Sequence, residues 1–247
     1  MKIAPLFFFL LLIGCQQTKP TDAAPPIAEI IEPQETLEVS TNEKIIKTDT
    51  VAIYTDGTES STDFILAHLV DQQADKDSIV TVKYRLDFYQ NKTKTASSKI
   101  AIKGFQKDSD WTASYGLTSE TSKNSPFIQI TVGFPACGYT HDNYLYYLKN
   151  SGLQLVHQWS SMSDSGWGSW VEIVNPTTNS EPKSFYCKTV AFVPADEDEN
   201  MDMGILQHSD SIAFELKDSK WKKMLLSAKD KPYFEKKMTF DQFNASE

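Results

Sequence analysis

Apolar and polar residues alternate with a period of two over much of the chain. The clearest case is Ser78 to Tyr89. Ile79, Thr81, Lys83, Arg85 and Asp87 fall on one side, and Val80, Val82, Tyr84, Leu86 and Phe88 on the other. That pattern predicts a β-strand with one buried face. Further strands are predicted at Lys99 to Phe105, Phe127 to Phe134, Ser169 to Val174, Phe185 to Val193 and Ser211 to Leu216. All are rich in Val, Ile, Phe and Tyr and are separated by polar turns. Tyr144 to Leu148 and Leu153 to Val156 flank Lys149-Asn150-Ser151-Gly152, and Ile212 to Leu216 and Trp221 to Leu226 flank Lys217-Asp218-Ser219-Lys220. Both read as hairpins. Ser61 to Val70 is the one segment that also fits a helix, with Thr62 as its cap, and the strand reading is preferred. The expected fold is all-β and mainly antiparallel, a sandwich or barrel-like sheet. A propeller-like repeat of hairpins is the alternative.

Two stretches depart from this texture. Residues 16 to 48 hold Pro20, Pro25, Pro26 and Pro33 among Gln, Thr, Glu and Ala and no aromatic residue, so they cannot bury enough apolar area to offset ordering entropy. They are expected to be a disordered tether. Before them, Lys2 is followed by an apolar run from Ile3 to Ile13. It is shorter than the roughly 20 residues that a membrane-spanning helix needs, and has the length of a signal-peptide core.

The residues that end the run, Leu12-Ile13-Gly14-Cys15, resemble the lipobox of bacterial lipoproteins. The resemblance implies that residues 1–14 are a signal peptide and that Cys15 is acylated, so that the membrane is a partner through that lipid. Two or three acyl chains give stable anchoring where one does not. Gln16 rather than Asp after the cysteine implies, by the same resemblance, the outer membrane, on either its periplasmic or its outer side. The domain plan is then residues 1–14 as signal, 15–48 as lipidated cysteine and tether, and 49–247 as a β-rich globular domain. In general look it resembles the envelope lipoproteins of Bacteroidetes-type bacteria.

Charge bears on partners. The chain carries a formal −9. On the expectation that its lysines are dispersed, this argues against nucleic-acid binding and against electrostatic adhesion to anionic lipid. Attachment would then come from the lipid alone. With Cys15 assigned to lipid, Cys137 and Cys187 remain, and in an oxidising compartment an even pair reads first as a disulfide. Two buried free thiols, or a zinc site with nearby histidines, are the other readings.

Two loops carry candidate chemistry. Asp196, Asp198, Asn200 and Asp202 have the every-second-residue oxygen spacing by which a loop wraps Ca²⁺, and resemble the first half of an EF-hand loop. Met201 and Gln207 then stand where that pattern has Gly and Glu. The bland alternative is a solvated acidic loop. The second is the Ser-rich run 160–170, where Trp167 and Trp170, joined by Trp159, could form a stacking platform for a sugar or peptide, or else cover the end of the sheet. His68, His141, His157 and His208 show no metal-hydrolase spacing. No G-x-S-x-G, Walker A or G-x-G-x-x-G motif occurs, so no catalytic residue is assigned. The expectation is a lipid-anchored, non-enzymatic envelope protein with a partner-binding or structural role. A glycan-binding or glycan-hydrolysing lipoprotein and a calcium-stabilised structural domain are the alternatives.

Overall fold

The computed structural model describes Ile30–Ile31, residues 43–195 and residues 203–245. The lipobox with Cys15, and the acidic run Asp196, Asp198, Asn200 and Asp202, lie outside them. The strands are β1 (Ile30–Ile31), β2 (Lys47–Thr55), β3 (Thr58–Ala74), β4 (Val80–Gln90) and β5 (Thr93–Lys103). They continue with β6 (Asp110–Tyr115), β7 (Phe127–Gly133), β8 (Thr140–Lys149), β9 (Gly152–Asp164) and β10 (Trp167–Val174). Last come β11 (Ser184–Pro194), β12 (Met203–Lys217), β13 (Lys220–Leu225), β14 (Phe234–Thr239) and one short helix, α1 (Phe240–Asn244). The segment with helical ambiguity, Ser61 to Val70, lies inside β3.

All fourteen strands join one sheet in the order β1-β13-β12-β11-β10-β9-β8-β7-β6-β2-β3-β4-β5, with β14 also on β12. Among the described residues only β2 and β6 pair in parallel. The sheet is open. It ends at β5 and does not close into the expected barrel. Five of its hairpins turn on two residues that both have positive φ: Asp56-Gly57, Asn91-Lys92, Asn150-Ser151, Ser165-Gly166 and Asp218-Ser219. This is the type I′ geometry whose twist matches that of the flanking strands. Asn, Asp and Gly fill most of these positions because they enter the left-handed region at least cost.

The sheet turns back on both faces of its middle. Ile128, Ile130, Tyr144, Tyr146 and Leu148 point into a first core with Val51, Ile65, Leu86, Phe88 and Ile102 from β2–β5. Tyr146 Oη donates to Ser98 Oγ of β5 at 3.0 Å across that core. Phe127, Leu145 and Tyr147, on the opposite face, enter a second core with Phe185, Cys187, Phe214 and Trp221 from β11–β13. Gln154 of β9 closes it, donating to Trp221 O and accepting from Trp221 N at 2.7 and 2.8 Å. The run Tyr144 to Leu148 is therefore continuously apolar because β8 is buried on both faces.

β9 changes allegiance along its length. Leu153 and Leu155 pack on the first core and Trp159 on the second, although all three are odd-numbered. An extra residue, Val156, sits between the pairs Tyr146↔Leu155 and Leu145↔His157. A one-residue bulge reverses which face later side chains occupy. A third, smaller cluster of Phe192, Met238 and Phe243, with Trp167, Trp170, Leu206 and Phe240 against it, ties α1 to the end of β10–β12.

The expected Cys137–Cys187 disulfide is not formed. Cys187 is buried in the second core, and Cys137 is exposed in the β7–β8 connection. Gly138, next to Cys137, donates to Ser163 O, and Ser163 lies level with Gly168 and Phe192. Cys187 lies five residues farther along β11, about 16 Å at 3.3 Å per residue. A disulfide tolerates Cα atoms no farther apart than about 7 Å.

Candidate functional site

A cleft of about 680 Å³ opens where the β7–β8 connection, the β9–β10 hairpin and α1 meet. Each wall has a local cause. The β7–β8 connection is pinned by the Gly138–Ser163 hydrogen bond and by Phe134 against Tyr139, ring centroids 4.8 Å apart. The β9–β10 turn needs Gly166, whose φ is +89° and where an added Cβ would lie 2.1 Å from Phe240. α1 starts on a reciprocal cap: Gln242 N donates to Thr239 Oγ1 at 3.2 Å, and Thr239 N to Gln242 Oε1 at 3.0 Å. Its rings then lock in place, Phe243 stacked on Phe192 at 4.4 Å and Phe240 edge-on to Trp167 at 5.7 Å.

The lining combines flat apolar faces with neutral polar groups. Trp170 and Phe243, 6.0 Å apart, line it beside Met162 and Pro135. Ser161, Ser163, Ser169, His141, Asn244 and the thiol of Cys137 add hydrogen-bonding groups. Among the described residues no Lys, Arg, Asp or Glu lines it. Ser161 is held from behind. Buried Asn143 donates from Nδ2 to Ser161 Oγ at 3.0 Å and accepts from Thr131 Oγ1 at 2.8 Å. While accepting from Asn143, the Ser161 hydroxyl keeps its own proton to donate.

The three tryptophans do not share one site. Trp170 lines the cleft. Trp167 stacks on Phe192 at 4.7 Å, and Trp159 stacks on His157 against the second core. The acidic run connects β11 to β12 with strands on both sides: Pro194 pairs with Gly204 and Ala195 N bonds to Met203 O. The flanking helices of an EF-hand are thus replaced by a hairpin. Among the described residues no three His, Cys, Asp or Glu side chains converge as a metal site would require. Zinc has no such set, because Cys187 is in the second core while Cys137 and His141 line the cleft.

A second polar constellation lies on the outer side of β3–β5. Asp87, on the polar side of the strand yet only 3% exposed, meets His68 at 3.3 Å, Lys94 at 2.8 Å, Arg85 at 3.2 Å and the Ser97 hydroxyl at 2.7 Å. Thr48 Oγ1 lies 2.8 Å from His68 Nδ1. Burial pushes the Asp87 pKa up, but the hydrogen bonds from Lys94 and Ser97 and the cations of Arg85 and Lys94 bring it below the ordinary carboxylate value. Burial also lowers the pKa of His68. Hydroxyl, imidazole and carboxylate here are the components of a relay, but Asp87 is fully engaged and none of these residues lines the cleft. Their work is to hold four strands, β2 to β5, together.

The chain matches no known protein family, no curated protein and no solved structure.

Proposed function

We propose that this chain is a lipid-anchored protein of the bacterial envelope whose β domain binds rather than catalyses, holding a neutral, hydroxyl-rich glycan segment beside Trp170. The anchoring half of the reading rests on the lipobox at Leu12-Ile13-Gly14-Cys15. The binding half rests on the cleft's lining. A sugar offers a face of C–H groups to an indole and a rim of hydroxyls to serine, imidazole and carboxamide partners, and the cleft supplies both without a formal charge. Binding is favoured over hydrolysis because glycosidic cleavage runs on a pair of carboxyl groups flanking the bond, and none of the described lining residues carries one.

The test is a fluorescence titration with soluble peptidoglycan fragments and neutral oligosaccharides. Binding should shift the tryptophan emission. Trp170→Ala should weaken it by roughly two- to tenfold, since stacked aromatic contacts are worth about 0.5–1.5 kcal/mol. Trp159→Ala, in the second core, should leave affinity unchanged. Absence of any signal with all of these sugars would end the glycan reading.

A further inference from the structure

The −9 of the whole chain conceals a strongly basic edge. Between residues 217 and 237 stand Lys217, Lys220, Lys222, Lys223, Lys229, Lys231, Lys236 and Lys237 against only Asp218, Asp230 and Glu235, a local balance of +5. Topology gathers this segment on one flank. β11 occupies one side of β12 over residues 204–215. On the other side β13 pairs with residues 212–217 and β14 with 203–208, so β13, its link and β14 form one flank of β12, with β1 outside β13 only opposite Met224 and Lys223. Lys220, Lys222, Lys229, Lys231 and Lys236 are exposed on it, while Lys217 reaches back to Glu215 at 2.6 Å. Among them stand apolar side chains exposed well beyond core values: Met224 41%, Leu226 44%, Tyr233 51% and Phe234 40%. Lys223 is half-buried, and its pKa is lowered by burial and by neighbouring Lys229.

A third observation bears on where this edge faces. β1 pairs with β13, Ile30 opposite Met224 and Ile31 opposite Lys223. Only residues 16–29 separate Cys15 from that pairing, a leash of at most about 50 Å when fully extended. We propose that the β13–β14 edge is a membrane-docking surface, its lysines on the phosphates of anionic phospholipids and Met224, Leu226, Tyr233 and Phe234 at the headgroup boundary. Basic side chains near an anionic leaflet and amphipathic rings at its interface act together in this way. The inference rests on the anchoring at Cys15, and adds to it an orientation. The lipid holds the protein to a bilayer, and the edge decides which side of the domain meets it.

The test uses the full, acylated chain on vesicles of phosphatidylglycerol or of phosphatidylcholine, with lysines labelled by a water-soluble acylating reagent and read by mass spectrometry. On phosphatidylglycerol, Lys220, Lys222, Lys229, Lys231 and Lys236 should be protected roughly threefold or more relative to phosphatidylcholine. The protection should vanish in about 0.5 M salt. Exposed Lys92, Lys103 and Lys107, by the opposite sheet edge, should label equally on both. The Lys220→Glu, Lys222→Glu, Lys229→Glu, Lys231→Glu variant should lose the protection and still float with neutral vesicles through its lipid. Equal labelling of the edge on both lipids would overturn the proposal. So would protection that grows with protein density on phosphatidylcholine, because the edge would then be a contact between copies. Failure to float with neutral vesicles would instead sink the acylation of Cys15, a result independent of the labelling ratio.

Discussion

His157 stands between Trp159 and Phe214, ring centroids 5.4 and 5.3 Å away, and burial, aided by Lys223, drives its pKa down to about 4. In the unfolded chain an imidazole titrates near 6.5. The folded pKa is the lower one, so the unfolded state takes up the proton first as pH falls. The stability tied to a neutral His157 is complete above pH 6.5 and is lost between about 6.5 and 4. Between pH 7 and 5 that loss is about 2 kcal/mol. Urea titrations at the two pH values should show a smaller difference for His157→Gln than for the parent, and equal differences would show that His157 is not the group responsible. The cysteines make a second check. Burial pushes the Cys187 pKa up to about 12 and keeps it a thiol. An aromatic disulfide reagent should therefore titrate one thiol, Cys137, in the native acylated protein and two after denaturation without reductant. Pairing these two by counting cysteines failed because spacing in the chain says nothing about facing. Cys187 shares the inward side of β11 with Phe185, and Cys137 lies on a connection whose position depends on β9. The division of the tryptophans was hidden for a related reason. Trp170 reaches the cleft only because α1, set by Thr239 and Gln242, brings Phe243 beside it, and neither Phe243 nor Asn244 carries a local signal of a site.

The strands themselves were largely legible, because a half-buried strand writes its two faces as alternation. β4 is the plainest case: Val82, Tyr84, Leu86 and Phe88 are all within 3% of full burial. Legibility fails where a strand serves two cores. The apolar run of β8 shows no alternation, and the bulge at Val156 reverses the parity of β9, which only the register across β8 reveals. The two hairpin turns foreseen at Asn150-Ser151 and Asp218-Ser219 do form, with Ser151 and Ser219 both at φ +63°. Serine has a Cβ, and the left-handed region costs such a residue about 1–2 kcal/mol, against roughly 0.5–1 kcal/mol of extra unfolded-chain entropy for glycine. Ser151→Gly and Ser219→Gly should each raise the urea midpoint by an amount equivalent to about 0.5–1 kcal/mol, with the slope m unchanged. Ser219→Val should lower it. A midpoint that falls for the glycine variants would mean that the turns are not in this geometry.

Because β7, β8 and β9 contribute side chains to both cores, neither half of the sheet owns a complete interior. The first core needs Tyr146 and Leu148, and the second needs Leu145 and Tyr147 from the same strand. Shared strands of this kind couple the halves, since loosening β8 from one side removes the surface on which the other packs. Trp221 is the sharpest probe. It is 2% exposed, with ring centroids 5.2 Å from Phe127, 5.1 Å from Phe185 and 5.9 Å from Tyr147. Trp221→Ala should cost about 3–5 kcal/mol, the range for emptying a large aromatic site. If the sheet is one cooperative unit, that loss will not stay in the second core. Native-state hydrogen exchange of the β3–β4 amides, which touch only the first, should accelerate by nearly the same free energy as that of the β11–β12 amides. Urea unfolding followed by far-UV circular dichroism and by tryptophan emission should give one coincident transition. Two transitions, or β3–β4 amides that keep their parental protection, would mean that the bulge at Val156 acts as a joint between separately stable halves. The membrane-facing edge at β13–β14 would then move independently of the first core instead of orienting it.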